Sequence, residues 1–293
     1  MFDFLSSHPK KRLVAAYAND AHTIFAVHEG IKSGIIDGIL VGDKDVIEAV
    51  CQKNDIDPKD FRIIHEPVDT KAATKAVEMI NKGEGDFLMK GLLSTDKYMR
   101  AILNKENGLM NPGAVLSHVT VIEPPSYHKL LIVGDAAIIP LPDLSQKIAI
   151  TNYLIKTAQF LGIERPKVGL LAASEQTLPK IPSCADAAII AKMAQRGQIT
   201  GAMIEGPLGF DLIVDKESAE IKGVHSEVCG DADCILFPNL EAGNTFYKTM
   251  TKLMNAELGA VVMGARVPAV LSSRGDSEKT KLYSIALAAM LTQ

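Results

Sequence analysis

Short apolar runs alternate with longer amphipathic stretches along almost the whole 293-residue chain, and this alternation limits the fold more than any other feature. Leu13 to Ala18 and Ile35 to Gly42 read as strands, with Asn19, Asp20 and Asp43 placed where helix N-cap oxygens belong. Further strands are predicted at residues 86–90, 119–123, 130–135, 167–172, 202–205, 234–237, 260–264 and 269–272. Helices are predicted over residues 21–32, 145–161, 185–195 and 277–291, and from Asp69-Thr70 onward, where Ala73, Ala76, Val77 and Ile80 share a face. Strands separated by helices of about ten residues or more imply βαβ units and a mainly parallel sheet. Nearly all-apolar strands suit a sheet covered on both faces. The strands are too many for one open sheet, so the chain reads as a two-lobed α/β protein, with Pro140-Leu-Pro142 as a crossing point. There is no internal repeat.

The 47% apolar and 23% charged composition excludes a largely disordered chain. A net charge of -4 argues against a nucleic-acid or anionic-membrane partner. Cys51, Cys184, Cys229 and Cys234 form no C-x-x-C pair and read as reduced thiols. The N-terminus places Asp3 before the basic cluster Lys10-Lys-Arg12, the reverse of a secretory signal, and no apolar run reaches the roughly 18 residues that span a bilayer. A cytoplasmic enzyme or small-molecule binder is expected.

Ligands of parallel α/β proteins bind at the carboxyl ends of strands, where helix N-termini present unpaired N–H groups. The richest such junction is the last, Val270-Leu-Ser-Ser-Arg-Gly-Asp-Ser-Glu-Lys-Thr-Lys281. There Ser273 is placed to donate to a developing oxyanion and Arg274 to fork across a phosphate. The same Ser273-x-x-Asp276 spacing also fits a capping box that needs no chemistry. Lys90-Gly91 ends another strand, with Ser94 or Thr95 to cap the next helix; the pair suits a phosphate, but an ordinary βα loop is the favoured reading. Gly206-Pro207 and Asp211 follow a third strand as a Gly/Pro turn ending in a carboxylate. Gly243-Asn244 interrupts a helical pattern, which costs about 1 kcal/mol relative to Ala and points to a packing or ligand reason.

Other signatures fail on inspection. Gly83-Glu-Gly85 lacks the third glycine of a dinucleotide fingerprint and precedes a strand. Asp211 and Asp215 share a helical spacing suited to Mg²⁺, yet Ile213 and Val214 between them make that face ordinary. Cys229 and Cys234 without a second pair make a poor zinc site. His118 reads as a structural histidine. No metal site is expected.

In order, Met89-Lys-Gly91 with Leu93 to Asp96, Leu116-Ser-His-Val119, Val133 to Ile138, Lys180 to Ala188, Lys192 to Ile199, Gly206 to Asp211, Phe237 to Asn244 and Ser273-Arg274 resemble the phosphate acetyl/butyryltransferase family. The resemblance covers nearly the whole chain. Its closing segment, Pro268 to Ser277 with Lys281-Leu-Tyr-Ser-Ile-Ala-Leu287, is similar to the butyryl branch. The acetyl branch carries an Asp credited as base for the CoA thiol where this chain has Thr280; Asp276 is the nearest substitute.

The resemblance implies the reaction acyl-CoA plus orthophosphate giving acyl phosphate plus CoA, with CoA and phosphate as substrates and no cofactor. It implies a fold like the isocitrate and isopropylmalate dehydrogenases, with lobe one at residues 1–135 plus 261–293, lobe two at 136–260, and the active site in the cleft between them. A homodimer or higher homo-oligomer is the usual state. Ser273, Arg274 and Asp276 are the expected catalytic residues; Lys90, Gly91, Gly206, Pro207, Asp211, Asn244 and Lys281 are expected to bind substrate. The acyl group stays open among acetyl, propionyl, butyryl and branched chains, because each buried methylene is worth only about 0.8 kcal/mol. Two rivals remain: a metal- and NAD-dependent hydroxy-acid dehydrogenase of the same architecture, and a non-catalytic CoA- or phosphate-binding protein.

Overall fold

The computed structural model describes residues 1–271 and 277–292. It divides into two compact units, residues 1–114 with 259–293, and residues 115–258. The first unit holds β1 (Lys11–Ala16), β2 (Ile36–Gly42), β3 (Arg62–His65), β4 (Phe87–Lys90), β10 (Glu257–Met263) and β11 (Ala269–Val270). They lie in the order β3-β2-β1-β4-β11-β10, parallel except for β10, which runs antiparallel to β11. The buried Leu13-Val-Ala-Ala16 run of β1 and the all-buried β4 follow from strands covered on both faces.

Helices α1 (Phe2–Ser6), α2 (Ala21–Lys32), α3 (Lys44–Lys53), α4 (Asp69–Asn81), α5 (Thr95–Ile102) and α11 (Glu278–Leu291) belong to this unit. Asp20, Asp43 and Ser94 cap α2, α3 and α5 by accepting from Thr23, Asp45 and Lys97 N–H. In α11 every residue from Ser284 to Leu291 is buried, so this helix is wrapped by its neighbours rather than lying on the surface.

The second unit holds β5 (Ser117–Glu123), β6 (Leu131–Gly134), β7 (Lys167–Leu171), β8 (Met203–Leu208) and β9 (Cys234–Leu236). Their order is β5-β6-β9-β7-β8, and only β5 is antiparallel to its neighbour. Its helices are α6 (Leu144–Phe160), α7 (Pro182–Gln195), α8 (Phe210–Val214), α9 (Lys216–Ile221) and α10 (Leu240–Lys252). Ile122, Leu131, Val133, Leu208, Leu212, Ile235, Phe237 and Leu258 are among the residues that form its core.

The first segment of unit one ends at Ala114, ahead of the boundary expected at 135. The cause is strand pairing: β5 bonds to β6, and β6 to β9, so residues 117–134 belong with the second unit. Three elements escaped the sequence pattern. Helix α1 is a single short piece, β3 is a half-exposed strand carrying only two apolar residues, and β8 runs on through Gly206 and Pro207 where a turn was expected.

Candidate functional site

The carboxyl edge of unit one is built from loops that grip one another. After β1, Tyr17 takes a left-handed φ of 59° and its carbonyl accepts from Leu92 N–H at 2.7 Å, while Ala16 O accepts from Gly91 N–H at 2.9 Å. A Cβ on Gly91 would fall onto the Tyr17 carbonyl and 2.7 Å from Ala16 O, so only glycine allows this crossing. Lys90 is buried, and its ammonium donates to the carbonyls of Gly91 (3.2 Å) and Leu93 (3.1 Å). It pins its own loop.

Val270 pairs with Met89, so the chain leaves β11 beside Lys90. Ser273, Arg274 and Asp276 follow within 272–276 and lie outside the described residues. Beyond them Ser277 is the N-cap of α11, accepting from Thr280 N–H at 3.1 Å. The capping-box reading of Ser273 and Asp276 likewise falls outside the described residues. Thr280, at the position of the acetyl-branch carboxylate, places Oγ1 3.0 Å from Ser277 Oγ. Lys281, in the first turn of α11, is only 6% exposed.

Unit two presents the remaining expected residues. Gly206 and Pro207 lie inside β8, where a Cβ on Gly206 would approach Leu170 Cβ to 2.6 Å; the register shift between Gly169 and Leu171 accommodates them. Asp211, in the first turn of α8, is bound by Lys222 at 2.7 Å, and that hydrogen bond holds its carboxyl below the usual range. Asp215 caps α9 through Ser218. The two carboxylates thus serve separate partners, and among the described residues no group of three His, Cys, Asp or Glu side chains is arranged for a metal ion. Asn244 donates to Ala136 O at 3.1 Å, and a Cβ on Gly243 would strike the Asp135 carbonyl, so close packing explains that helical glycine.

Two features were not singled out from sequence. Asp135, 2% exposed at the end of β6, accepts from Ala137 (2.6 Å), Ile138 (2.9 Å), Ile139 (3.3 Å) and His118 (3.3 Å) N–H groups. Its signal was the Val-Gly-Asp strand end shared with Val41-Gly-Asp43, where Asp43 caps a helix in the same way. The second is the Lys147–Asp186 ion pair at 2.7 Å, joining α6 to α7; residues so far apart in sequence carry no local pattern. The Cys229 to Cys234 segment is a charge cluster, not a metal knot. Asp231 receives His128 and Lys129 at 2.8 Å and Lys167 at 2.5 Å, and Lys129 also reaches Asp233 at 2.9 Å. Both thiols are raised by burial. His118 is buried, its Nδ1 3.2 Å from Thr120 Oγ1.

Two units of mainly parallel strands flanked by helices define an α/β protein of the dehydrogenase-like architecture. 4-Hydroxythreonine-4-phosphate dehydrogenase from Klebsiella pneumoniae shares it, with a TM-score of 0.59 over 97% of this chain and 100% of that one; at 12% identity the likeness is one of fold alone. The family model for phosphate acetyl/butaryl transferase matches residues 59–289. A phosphate butyryltransferase of Clostridium acetobutylicum is 44% identical over 98% of this chain and 95% of its own. A phosphate acetyltransferase of Thermotoga maritima is 39% identical over 96% of this chain and 95% of its own. A crystal structure of a branched-chain phosphotransacylase from Enterococcus faecalis has a TM-score of 0.83 at 27% identity, covering 96% of this chain and 99% of that one. The chain belongs to the phosphate acetyl/butyryltransferase family, a family of acyltransferases.

Proposed function

We propose that this protein transfers a short acyl group from CoA to orthophosphate, with butyryl-CoA as its preferred donor. The observation that carries this reading is the 44% identity to a phosphate butyryltransferase across nearly the whole of both chains. The reaction needs a held phosphate, a polarised thioester carbonyl and control of the thiol proton. Phosphate is already nucleophilic near neutrality, so the forward direction rests on positioning more than deprotonation. In this reading Arg274 clamps the phosphoryl oxygens, Ser273 and the start of α11 stabilise the tetrahedral oxyanion, and Asp276 takes the thiol proton or orients Arg274. The acyl group passes directly between the two substrates, without a covalent acyl-enzyme.

Lys90 and Gly91 shape the loop beside this junction, and Lys281 meets a substrate anion. Gly206, Pro207, Asp211 and Asn244 form the substrate-binding contribution of unit two. CoA and phosphate are the only small molecules required. The working form is a cytoplasmic homo-oligomer, a dimer in its simplest state; among the described residues no helix is long and apolar enough to cross a membrane.

Thiol release from acetyl-, propionyl-, butyryl- and isobutyryl-CoA, each with and without phosphate, tests the proposal. Phosphate-dependent release fastest with butyryl-CoA is the expected result; release that ignores phosphate overturns it. Arg274→Ala is expected to raise the phosphate KM and lower turnover. Unchanged kinetics would remove Arg274 from the site.

A further inference from the structure

Among the described residues, three other than glycine take a left-handed backbone: Tyr17 (φ 59°), Asp55 (φ 55°) and Asn255 (φ 50°). Asp and Asn enter this region readily, and these two lie just past α3 and α10. A bulky side chain there is strained. Such strain persists only where the surroundings impose it, and it gathers at functional sites. Tyr17 directly follows β1, at the carboxyl edge of unit one, where ligands of parallel α/β proteins bind. The turn itself serves the loops, since it brings the Tyr17 carbonyl onto Leu92 N–H at 2.7 Å. Glycine would make that turn without strain, so the turn alone does not account for the ring.

The groups around Tyr17 narrow what it can meet. The two loops that cross here, residues 17–20 and 91–94, contain no Lys or Arg. Their N–H groups are largely spent: Ala18 on Val41 O, Gly91 on Ala16 O and Leu93 on Gly91 O, each at 2.9 Å, and Leu92 on Tyr17 O. Their polar side chains are engaged as well. Asn19 Oδ1 accepts from Asp43 N–H at 3.0 Å, Asp20 from Thr23 and Ser94 from Lys97. Lys90, next in sequence, is buried on its own loop carbonyls. What the corner leaves open is apolar: Leu92, 47% exposed, and the partly exposed Tyr17. It offers an anion no cation and few donors, and it offers a carbon chain a surface.

This corner adjoins the strand end from which the expected catalytic residues follow, because β4 pairs with β11 on one side and with β1 on the other. We infer that Tyr17 and Leu92 form an apolar contact for the uncharged carbon chain of acyl-CoA on either side of the thioester, the acyl group or the pantetheine arm. The inference rests on the phosphate acyltransferase reading. Neither side chain makes or breaks a bond. Burial of apolar surface supplies the effect, each buried methylene being worth about fourfold in binding.

The test measures kcat/KM for acetyl-, butyryl- and hexanoyl-CoA at saturating phosphate, and the phosphate KM at saturating butyryl-CoA. Tyr17→Gly and Leu92→Ala are each expected to lower kcat/KM for butyryl-CoA by about tenfold, with the phosphate KM within about twofold of wild type. A loss that grows with chain length assigns the contact to the acyl group. An equal loss for all three donors assigns it to the pantetheine arm. Tyr17→Phe keeps the ring and is expected to retain most of the rate. Leu92 stands on the surface, so its variant reports on the contact independently of the Tyr17 backbone. The inference is overturned by variants that keep wild-type kcat/KM for every donor, or by a defect confined to the phosphate KM. A Tyr17→Phe enzyme as impaired as Tyr17→Gly also overturns it, because the hydroxyl is then the operative group. A wild-type protein inert towards all three donors overturns the transferase reading itself, and is told apart because no variant comparison then arises.

Discussion

Gly243→Ala sets two opposed effects against each other. In an open helix interior the change stabilises by about 1 kcal/mol, because Ala loses less backbone entropy than Gly. Here the added Cβ would collide with the Asp135 carbonyl oxygen and lie 3.0 Å from Phe237 Cδ2 and 3.1 Å from Ala136 Cα. The carbonyl cannot retreat easily, since the Asp135 carboxylate is tied to four backbone N–H groups of its own loop and strand β5. Overpacking of this kind costs about 1–3 kcal/mol. Moving α10 away also lengthens the 3.1 Å Asn244–Ala136 hydrogen bond, worth about 0.5–1.5 kcal/mol. The sum is a net loss of about 1–3 kcal/mol, or a Tm lowered by about 3–10 °C for a protein of this size. Gly30→Ala in α2 is the matched control. The atoms nearest its Cβ would belong to side chains, Ile36 Cδ1 at 2.8 Å, Ile36 Cγ1 at 2.9 Å and Ile285 Cγ2 at 3.6 Å, which give way more readily than a backbone carbonyl. Differential scanning fluorimetry of both variants decides the matter. A Gly243→Ala protein with an unchanged or higher Tm would refute the packing argument and return Gly243 to the list of ligand-driven glycines.

Asp186→Ala leaves the Lys147 ammonium buried without its partner, and a loss of about 3–5 kcal/mol in urea unfolding is expected; adding Lys147→Met should recover most of it. Asp231 gives a pH signature. Burial pushes its carboxyl up, but hydrogen bonds from Lys129, Lys167 and His128 prevail and hold it well below the usual carboxylate range. Its stabilising contribution is present above an unfolded pKa of about 3.9 and is lost as pH falls below that, so Asp231→Asn should flatten the decline of Tm between about pH 5 and 3. Ser277→Ala removes the α11 cap and should cost about 1 kcal/mol in urea unfolding. Tyr98→Phe removes a buried hydroxyl that has no hydrogen-bond partner, so a stability equal to or above wild type is expected in the same assay.

The elements that sequence made legible are those whose local chemistry and tertiary role agree. Asp20 and Asp43 stand at strand ends and cap the helices that follow, and α11 carries the apolar run expected of it. Strand β3 was missed because its Arg62-Ile-Ile-His65 pattern is half exposed and offers too little apolar surface to stand out. Gly206-Pro207 misled for a different reason. Both residues usually punctuate turns, yet here they continue β8, because Leu170 on the neighbouring strand fills the space a side chain at 206 would need. The domain boundary was misplaced because antiparallel pairing of β5 with β6 is a long-range fact that no run of residues encodes.

Of the candidate site, residue types were legible but their allegiances were not. The sequence placed Lys90 and Asp211 just after strands but could not show that the Lys90 ammonium donates to its own loop carbonyls or that Lys222 holds the Asp211 carboxylate. Lys281 was expected to bind substrate from the resemblance, and the structure places it in the first turn of α11, a largely buried residue. The general lesson is one of electrostatics. A charged residue at a plausible position says little until its counter-charge is located, because a satisfied ion pair contributes structure whereas an unsatisfied buried cation waits for an anion.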